Sequence, residues 1–328
     1  MEPLRQSQEN GLPSAMGASV RASPVIAVVG PTGSGKTALA VALAQRFGGE
    51  IVNTDSLQVY RHLDIGTAKP TPEERAQAVH HLIDVVDLDQ PFSAADYVAQ
   101  ATPVLTRLGG AGRLAILCGG TGLYFKALVE GLAEVPAVPA SIRQDVADRA
   151  QRFGTPTLHA ELAKLDPDRA AKLHPNDTAR VTRALEVALA TGQPLSSYHA
   201  QPATPPPLNL LHVGLRWERA ALYAHLNRRV DAMLAQGWIE EVQAVLARGF
   251  PPDAKPLRAI GYLEIVEYVQ GRRSRDSLAP DIQQRTRHYA KRQLTWFRHQ
   301  TSVDWFEPGD LDGAARRVQQ FLAQRQAP

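Results

Sequence analysis

PVIAVVGPTGSGKT, residues 24–37, is a continuous apolar run that ends in a glycine-rich octet. Six residues without a charged or strongly polar side chain, closed by Gly30-Pro31, read as a parallel β-strand covered on both faces. The Ala/Leu-rich stretch 36–47 follows as a helix, and Gly48-Gly49 stands where a C-terminal cap is expected. Between strand and helix, Gly30, Pro31, Thr32, Gly33, Ser34, Gly35, Lys36 and Thr37 satisfy G-x-x-x-x-G-K-[ST] in the context that motif needs. The glycines let backbone N–H groups converge on an anion, and the helix that follows aims its positive end at it. Lys36 adds a point charge, and the Thr37 hydroxyl is suited to ligate Mg²⁺. The stretch therefore predicts a di- or triphosphate ligand with Mg²⁺ as its cofactor.

Working outward, EIVNT (50–54), HLIDVV (81–86) and LAILC (114–118) read as further strands separated by helical stretches. Alternating strands and helices predict an open α/β sheet of parallel strands, a P-loop NTPase-like core whose ligands lie beyond the carboxyl ends of the strands. The alternation stops near Gly131. Residues 132–205 carry only helical patterns: Ser141 is expected to cap a helix over 142–150, a second runs over 157–165, and Asp177 caps a third over 178–190. LNLLHVGL (208–215) then resumes the sheet, and amphipathic helices follow over 220–248, 259–269 and 282–300. The expected organisation is an α/β core over 24–131 and 206–328 with a helical C-terminal region, and a helical insertion domain over 132–205 between proline-bearing hinges. Residues 1–23, small, polar and aperiodic, are expected to be a disordered leader.

Composition agrees with a folded protein. Among 328 residues, 44% are hydrophobic and 21% charged, close to globular averages of about 45–50% and 25%, which excludes a disordered or fibrous chain. No apolar run nears the roughly 20 residues of a membrane helix, and the first 23 residues hold no signal-peptide core, so a cytoplasmic protein without membrane contact is expected. One cysteine, Cys118, excludes an intrachain disulfide and a cysteine-based zinc site. The net charge of +3 is uneven: residues 271–300 hold eight cations against two acids, a place for a polyanion to dock.

A phosphate loop names a ligand group but no reaction. The second strand ends in Asn53-Thr54-Asp55-Ser56-Leu57-Gln58, which a parallel sheet sets beside the loop. Asp55 by itself leaves several roles open: holding a Mg²⁺-bound water, the base of a kinase, the base for another nucleophile, or a helix cap. The fourth strand ends in Cys118-Gly119-Gly120-Thr121, where an ATPase would carry an acidic residue for metal and water. That lack weighs against ATP hydrolysis.

Six blocks together resemble the tRNA dimethylallyltransferase (tRNA isopentenyltransferase) family: GPTGSGKT at 30–37, DSLQVY at 55–60, DIGTAKP at 64–70, GGTGLYFKAL at 119–128, HPNDTARVTRALEV at 174–187 and KRQLTWFR at 291–298. The resemblance implies transfer of a dimethylallyl group from dimethylallyl diphosphate to N6 of adenosine 37, beside the anticodon of tRNAs that read codons starting with U. Pyrophosphate is the other product, and the enzyme is expected to be a monomer bound to the anticodon stem-loop. The loop 30–37 would then hold the diphosphate, with Lys36 and a Mg²⁺ on Thr37 neutralising the charge of the leaving group. Asp55 would take the proton of the adenine amine, and Thr121 would join the catalytic set. By resemblance Asp55, Ser56, Leu57, Gln58, Thr121, Arg143 and the run Ala179, Arg180, Val181, Thr182, Arg183 contact the tRNA.

Helical periodicity over 282–300 places Ile282, Thr286, Tyr289, Gln293, Trp296 and Phe297 on a packed face and Arg287, Lys291 and Arg298 opposite, as a stripe for RNA phosphates. Arg258 is a further expected partner of diphosphate or RNA phosphate, whereas Leu263 stands where the family usually has a basic residue. Two other enzymes share the core pattern, a prenyltransferase acting on free adenine nucleotide and an ATP-binding P-loop small-molecule kinase. A non-catalytic RNA-binding protein would have no use for the phosphate loop.

Overall fold

The computed structural model describes residues 23–200, 208–300 and 302–324. All but one residue of the expected leader, and the proline run at 202–207, lie outside them. The first half runs β1 (Pro24–Val29), α1 (Lys36–Phe47), β2 (Glu50–Asn53), α2 (Pro72–Gln77), β3 (His80–His81), α3 (Ala94–Gly110), β4 (Ala115–Cys118) and α4 (Gly122–Glu130). Helices α5 (Ala140–Phe153), α6 (Thr155–Leu165), α7 (Pro167–Ala170), α8 (Thr178–Thr191) and α9 (Leu195–His199) follow without a strand. The chain then returns through β5 (Asn209–Leu215), α10 (Arg219–Ala235), α11 (Trp238–Ala247), a 3₁₀ turn (Lys255–Arg258), α12 (Tyr262–Val269), α13 (Arg275–Gln300), β6 (Asp304–Phe306) and α14 (Leu311–Ala323).

The six strands order as β3-β2-β4-β1-β5-β6, and every neighbouring pair is parallel. Central β1 is flanked by β4 and β5 in the register Val25↔Ala115 and Val25↔Leu210, and it is buried along nearly its whole length, which is why its sequence does not alternate. Parallel pairing brings the carboxyl ends of β1, β2 and β4 to one edge. One face of the sheet packs on α3, α4 and α10–α13 through Tyr97, Leu108, Leu128, Tyr262 and Phe297; the other packs on α1 and α14 through Leu43, Val213, Val318 and Phe321. Helices α5–α9 close around a separate apolar cluster that includes Val146, Leu158, Leu162, Val181 and Leu185.

Several local expectations need correction. The run 81–86 is not a strand: β3 ends at His81, because Leu82 (φ 62°) and Asp84 (φ 59°) turn the chain out of the extended region, and only an isolated bridge joins Val86 to Tyr60. Ser141 caps nothing; α5 starts at Ala140 behind Pro139, so Ser141 lies inside the first turn. The helix expected over 220–248 is two helices, broken where Gly237 adopts φ 100°. Strand β6 and helix α14 were not anticipated. Asp177 does cap α8, accepting from the Arg180 N–H.

Candidate active site

The loop 30–37 turns tightly out of β1 because Gly33 and Gly35 take φ 71° and 95°, a region other residues rarely adopt. No side chain caps the N-terminus of α1, so its first N–H groups are left for an anion. Residues 32–37, Asp55, Gln58, Cys118, Gly119, Trp217, His225 and Arg229 line one cleft of about 1110 Å³. Gly30 and Pro31 do not line it: Gly30 sits against the Leu215 backbone, and the Pro31 carbonyl accepts from Lys36 Nζ at 2.7 Å.

Burial pulls the Lys36 ammonium down to about 8, with Arg229 adding to the fall and Cys118 and Asp55 opposing it. Cys118 occupies the place of the missing acid at the end of β4, and burial pushes its thiol up to about 12, so it is neutral and inert at pH 7. The Ser34 hydroxyl is buried without a partner among the described residues.

Asp55 is held by an Asx-type turn. Its N–H donates to Asn53 Oδ1 at 2.9 Å, and its own Oδ1 accepts from the Leu57 N–H at 2.9 Å. Oδ2 has no hydrogen bond among the described residues. Thr121 stands at the N-cap position of α4 but does not cap it with its side chain. Its hydroxyl instead accepts from the Ser56 N–H (2.9 Å) and donates to Ser56 Oγ (3.1 Å), joining the β4 turn to the residue after Asp55. Gln58 Nε2 donates to the carbonyls of Thr67 and Ala68, bracing the loop that walls the cleft.

The other expected RNA contacts are placed elsewhere. Arg143 is exposed on α5. On α8, Ala179 is exposed, Arg180 pairs with Asp177, Arg183 lies 3.7 Å from Glu186, and Thr182 bonds the Thr178 carbonyl. Val181 is fully buried in the insertion's own core, so its side chain has no surface to offer RNA. Arg258 does not line the cleft; it bonds the Asp253 carbonyl and faces the Asp253 carboxylate. Arg287 is not part of an exposed stripe, since it is half-buried and donates to Asn227, while Lys291 and Arg298 are exposed.

Arg229 was not anticipated. It reaches Thr32 Oγ1 at 3.3 Å from α10, is half-buried, and has no carboxylate within ion-pair distance among the described residues. Burial lowers its pKa and Asp55 raises it. A half-buried guanidinium without an acid, facing the phosphate loop, is suited to receive an anion. The signal was in the sequence: Arg229 falls on the same face of α10 as buried Leu222, Leu226, Val230 and Met233.

Parallel strands, a glycine loop and a carboxylate beside it define the class as a P-loop α/β protein, a fold whose ligand sites lie at the carboxyl edge of the sheet. The model of the IPP transferase family matches residues 58–300. The chain is 46% identical over 317 residues to a tRNA dimethylallyltransferase of Syntrophobacter fumaroxidans, covering 95% of this chain and 92% of that one. It is 48% identical over 301 residues to one of Rhodopseudomonas palustris, covering 91% and 94%. Among solved structures, the full-length tRNA isopentenylpyrophosphate transferase of Bacillus halodurans superposes with a TM-score of 0.68 at 40% identity, covering 92% and 96%. A eukaryotic dimethylallyltransferase captured acting on tRNA gives 0.78 at 26%, covering 92% and 80%. This chain belongs to the IPP transferase family.

Proposed function

We propose that this protein transfers the dimethylallyl group of dimethylallyl diphosphate to N6 of adenosine 37 in tRNAs that read codons starting with U. A new C–N bond forms between C1 of the donor and N6, the C1–O bond breaks, pyrophosphate leaves with the electron pair, and the N6 proton passes to Asp55. The observation that carries this reading is the position of Asp55. Its carboxylate lines the cleft that holds the phosphate loop and, through Ser56, adjoins Thr121, so one base stands where a donor and an acceptor meet. Lys36, Arg229 and the amides at the start of α1 would gather charge on the departing diphosphate.

Mg²⁺ fits the groups present. Thr37 and Ser34 offer hydroxyls, hard oxygen donors of the kind this ion takes. Among the described residues no three acidic, histidine or cysteine side chains gather as a metal cage, so the ion's remaining ligands would come from phosphate and water. Bound there, Mg²⁺ supplies charge neutralisation for the leaving group.

The names of the relatives, all of them enzymes of tRNA, favour RNA over a free nucleotide as acceptor and prenyl over phosphoryl transfer. The testing experiment incubates the protein with Mg²⁺, labelled dimethylallyl diphosphate and an unmodified tRNA containing A36-A37-A38. Label is expected at position 37 with the wild type and not with Asp55→Ala, while Asp55→Ala still binds pyrophosphate. Label on free AMP instead, or phosphoryl transfer from ATP, overturns the reading.

A further inference from the structure

Gln293 is one of few buried polar side chains, and both ends of its amide are used. Its Oε1 accepts from the Thr32 N–H in the phosphate loop at 2.7 Å. Its Nε2 donates to the Gly120 carbonyl at 2.9 Å, in the turn that presents Thr121. The approach is close enough that a Cβ at position 120 would lie 2.2 Å from Nε2, so a side chain there would displace the amide from its present position. Thr121 then grips Ser56 through two hydrogen bonds, next to Asp55. Three residues further along α13, Trp296 lies on Gly122, where a Cβ would fall 2.7 Å from its ring.

The amide is polar at each end in one sense only. A flip would set Oε1 against the Gly120 carbonyl and Nε2 against the Thr32 N–H, losing both bonds. It is therefore a rigid strut whose two ends answer to different substrates. Thr32 belongs to the loop read above as the diphosphate cradle, so a diphosphate that shifted the loop would shift the N–H that Gln293 holds. Through Gln293 such a shift would reach residues 119–121 and the Ser56–Asp55 edge.

We propose that Gln293 is a positioning residue that couples occupancy of the phosphate loop to the acceptor-side turn, so that bound diphosphate readies the Asp55–Thr121 edge for RNA. The inference rests on the reading above of residues 30–37 as the donor cradle and of Asp55 and Thr121 as the acceptor side. Linkage makes the effect reciprocal: RNA tightens diphosphate binding by the same factor.

The test measures the Kd of a labelled anticodon stem-loop RNA containing A36-A37-A38, without and with saturating inorganic pyrophosphate and Mg²⁺. For the wild type, pyrophosphate is expected to tighten RNA binding at least about fivefold, the lower end of ordinary coupling. Gln293→Met keeps the length and removes both bonds; its ratio is expected to fall to about one, with the Kd in the absence of pyrophosphate unchanged. Gln293→Glu can still accept from Thr32 but cannot donate to Gly120, and its ratio is expected to fall likewise, each variant being titrated to its own saturation. A wild-type ratio of one overturns the coupling whether or not the variants fold, as does a wild-type ratio retained by either variant. Failure of the wild type to transfer label to tRNA overturns the underlying reading, whereas transfer with a ratio of one overturns only the coupling.

Discussion

At Lys36, burial opposes charge. The ammonium donates to the Pro31 carbonyl, and burial holds its pKa near 8, well below the usual lysine range. A bound diphosphate favours the charged form, so its binding draws a proton onto Lys36 wherever that residue is partly neutral. The sign follows for the Lys36 contribution to pyrophosphate affinity: it is level below about pH 8 and falls by up to tenfold per unit above it, until the raised pKa of the complex is reached, superimposed on pyrophosphate's own ionisation, which every variant shares. Lys36→Arg keeps its charge throughout this range and is expected to lose that fall, so that the wild-type to variant affinity ratio, measured by calorimetric titration between pH 7 and 10, drops above about pH 8. An unchanged slope in the arginine variant would mean that another group takes up the proton. Lys36 and Asp55 were legible in the sequence because each belongs to a short contiguous pattern. Ser34 was legible as part of the loop but not as an orphaned hydroxyl, since its surroundings come from other elements.

Among the elements, α10 supplies what the loop cannot. It carries Arg229 into the cleft on the same face that buries Leu226 and Val230. With no acid to neutralise it among the described residues, the guanidinium is expected to contribute a charge-assisted bond to a diphosphate. Arg229→Gln should weaken pyrophosphate binding roughly 10- to 100-fold, from about 1.5–3 kcal/mol for such a bond, with little change in melting temperature. Equal affinity in the variant would place the guanidinium outside the donor site. Helix α13 shows how far periodicity reaches. Its packed face was readable, and Phe297 and Gln293 are indeed buried. That Arg287 is tied to Asn227 was not, because the partner comes from α10 across the fold. Strand β3 was overread for a related reason: apolar character marks burial, but positive φ at Leu82 and Asp84 makes those residues a loop.

For the molecule as a whole, the question is how independent the helices α5–α9 are from the sheet. They have their own apolar cluster, with Val181 and Leu185 of α8 at its centre and the Asp166 carboxylate pinning α9 through the Ser196 N–H. If that cluster stands alone, damage to it should stay local. Val181→Asp buries an unpaired carboxylate at a cost of several kcal/mol and is expected to unfold the insertion. Pyrophosphate affinity should survive within about twofold while RNA binding drops by more than tenfold, because the donor cleft draws its lining from the other elements. Differential hydrogen exchange of α5–α9 against β1–β5 would show the same separation, and loss of protection across the sheet would refute it. Among the described residues no helix is long and apolar enough to cross a membrane.

The amino-acid sequence by itself determined the parallel sheet, the anion-binding loop and the carboxylate beside it. Strand burial, helix period and loop chemistry are local properties, written within a few consecutive residues. Tertiary structure alone decided that Arg229 and Gln293 meet the loop from α10 and α13, that Val181 faces inward, and that Thr121 holds Ser56 rather than capping its own helix. Those partners lie roughly 65 to 260 residues apart, or on faces that periodicity leaves ambiguous, and only packing brings them within hydrogen-bonding distance.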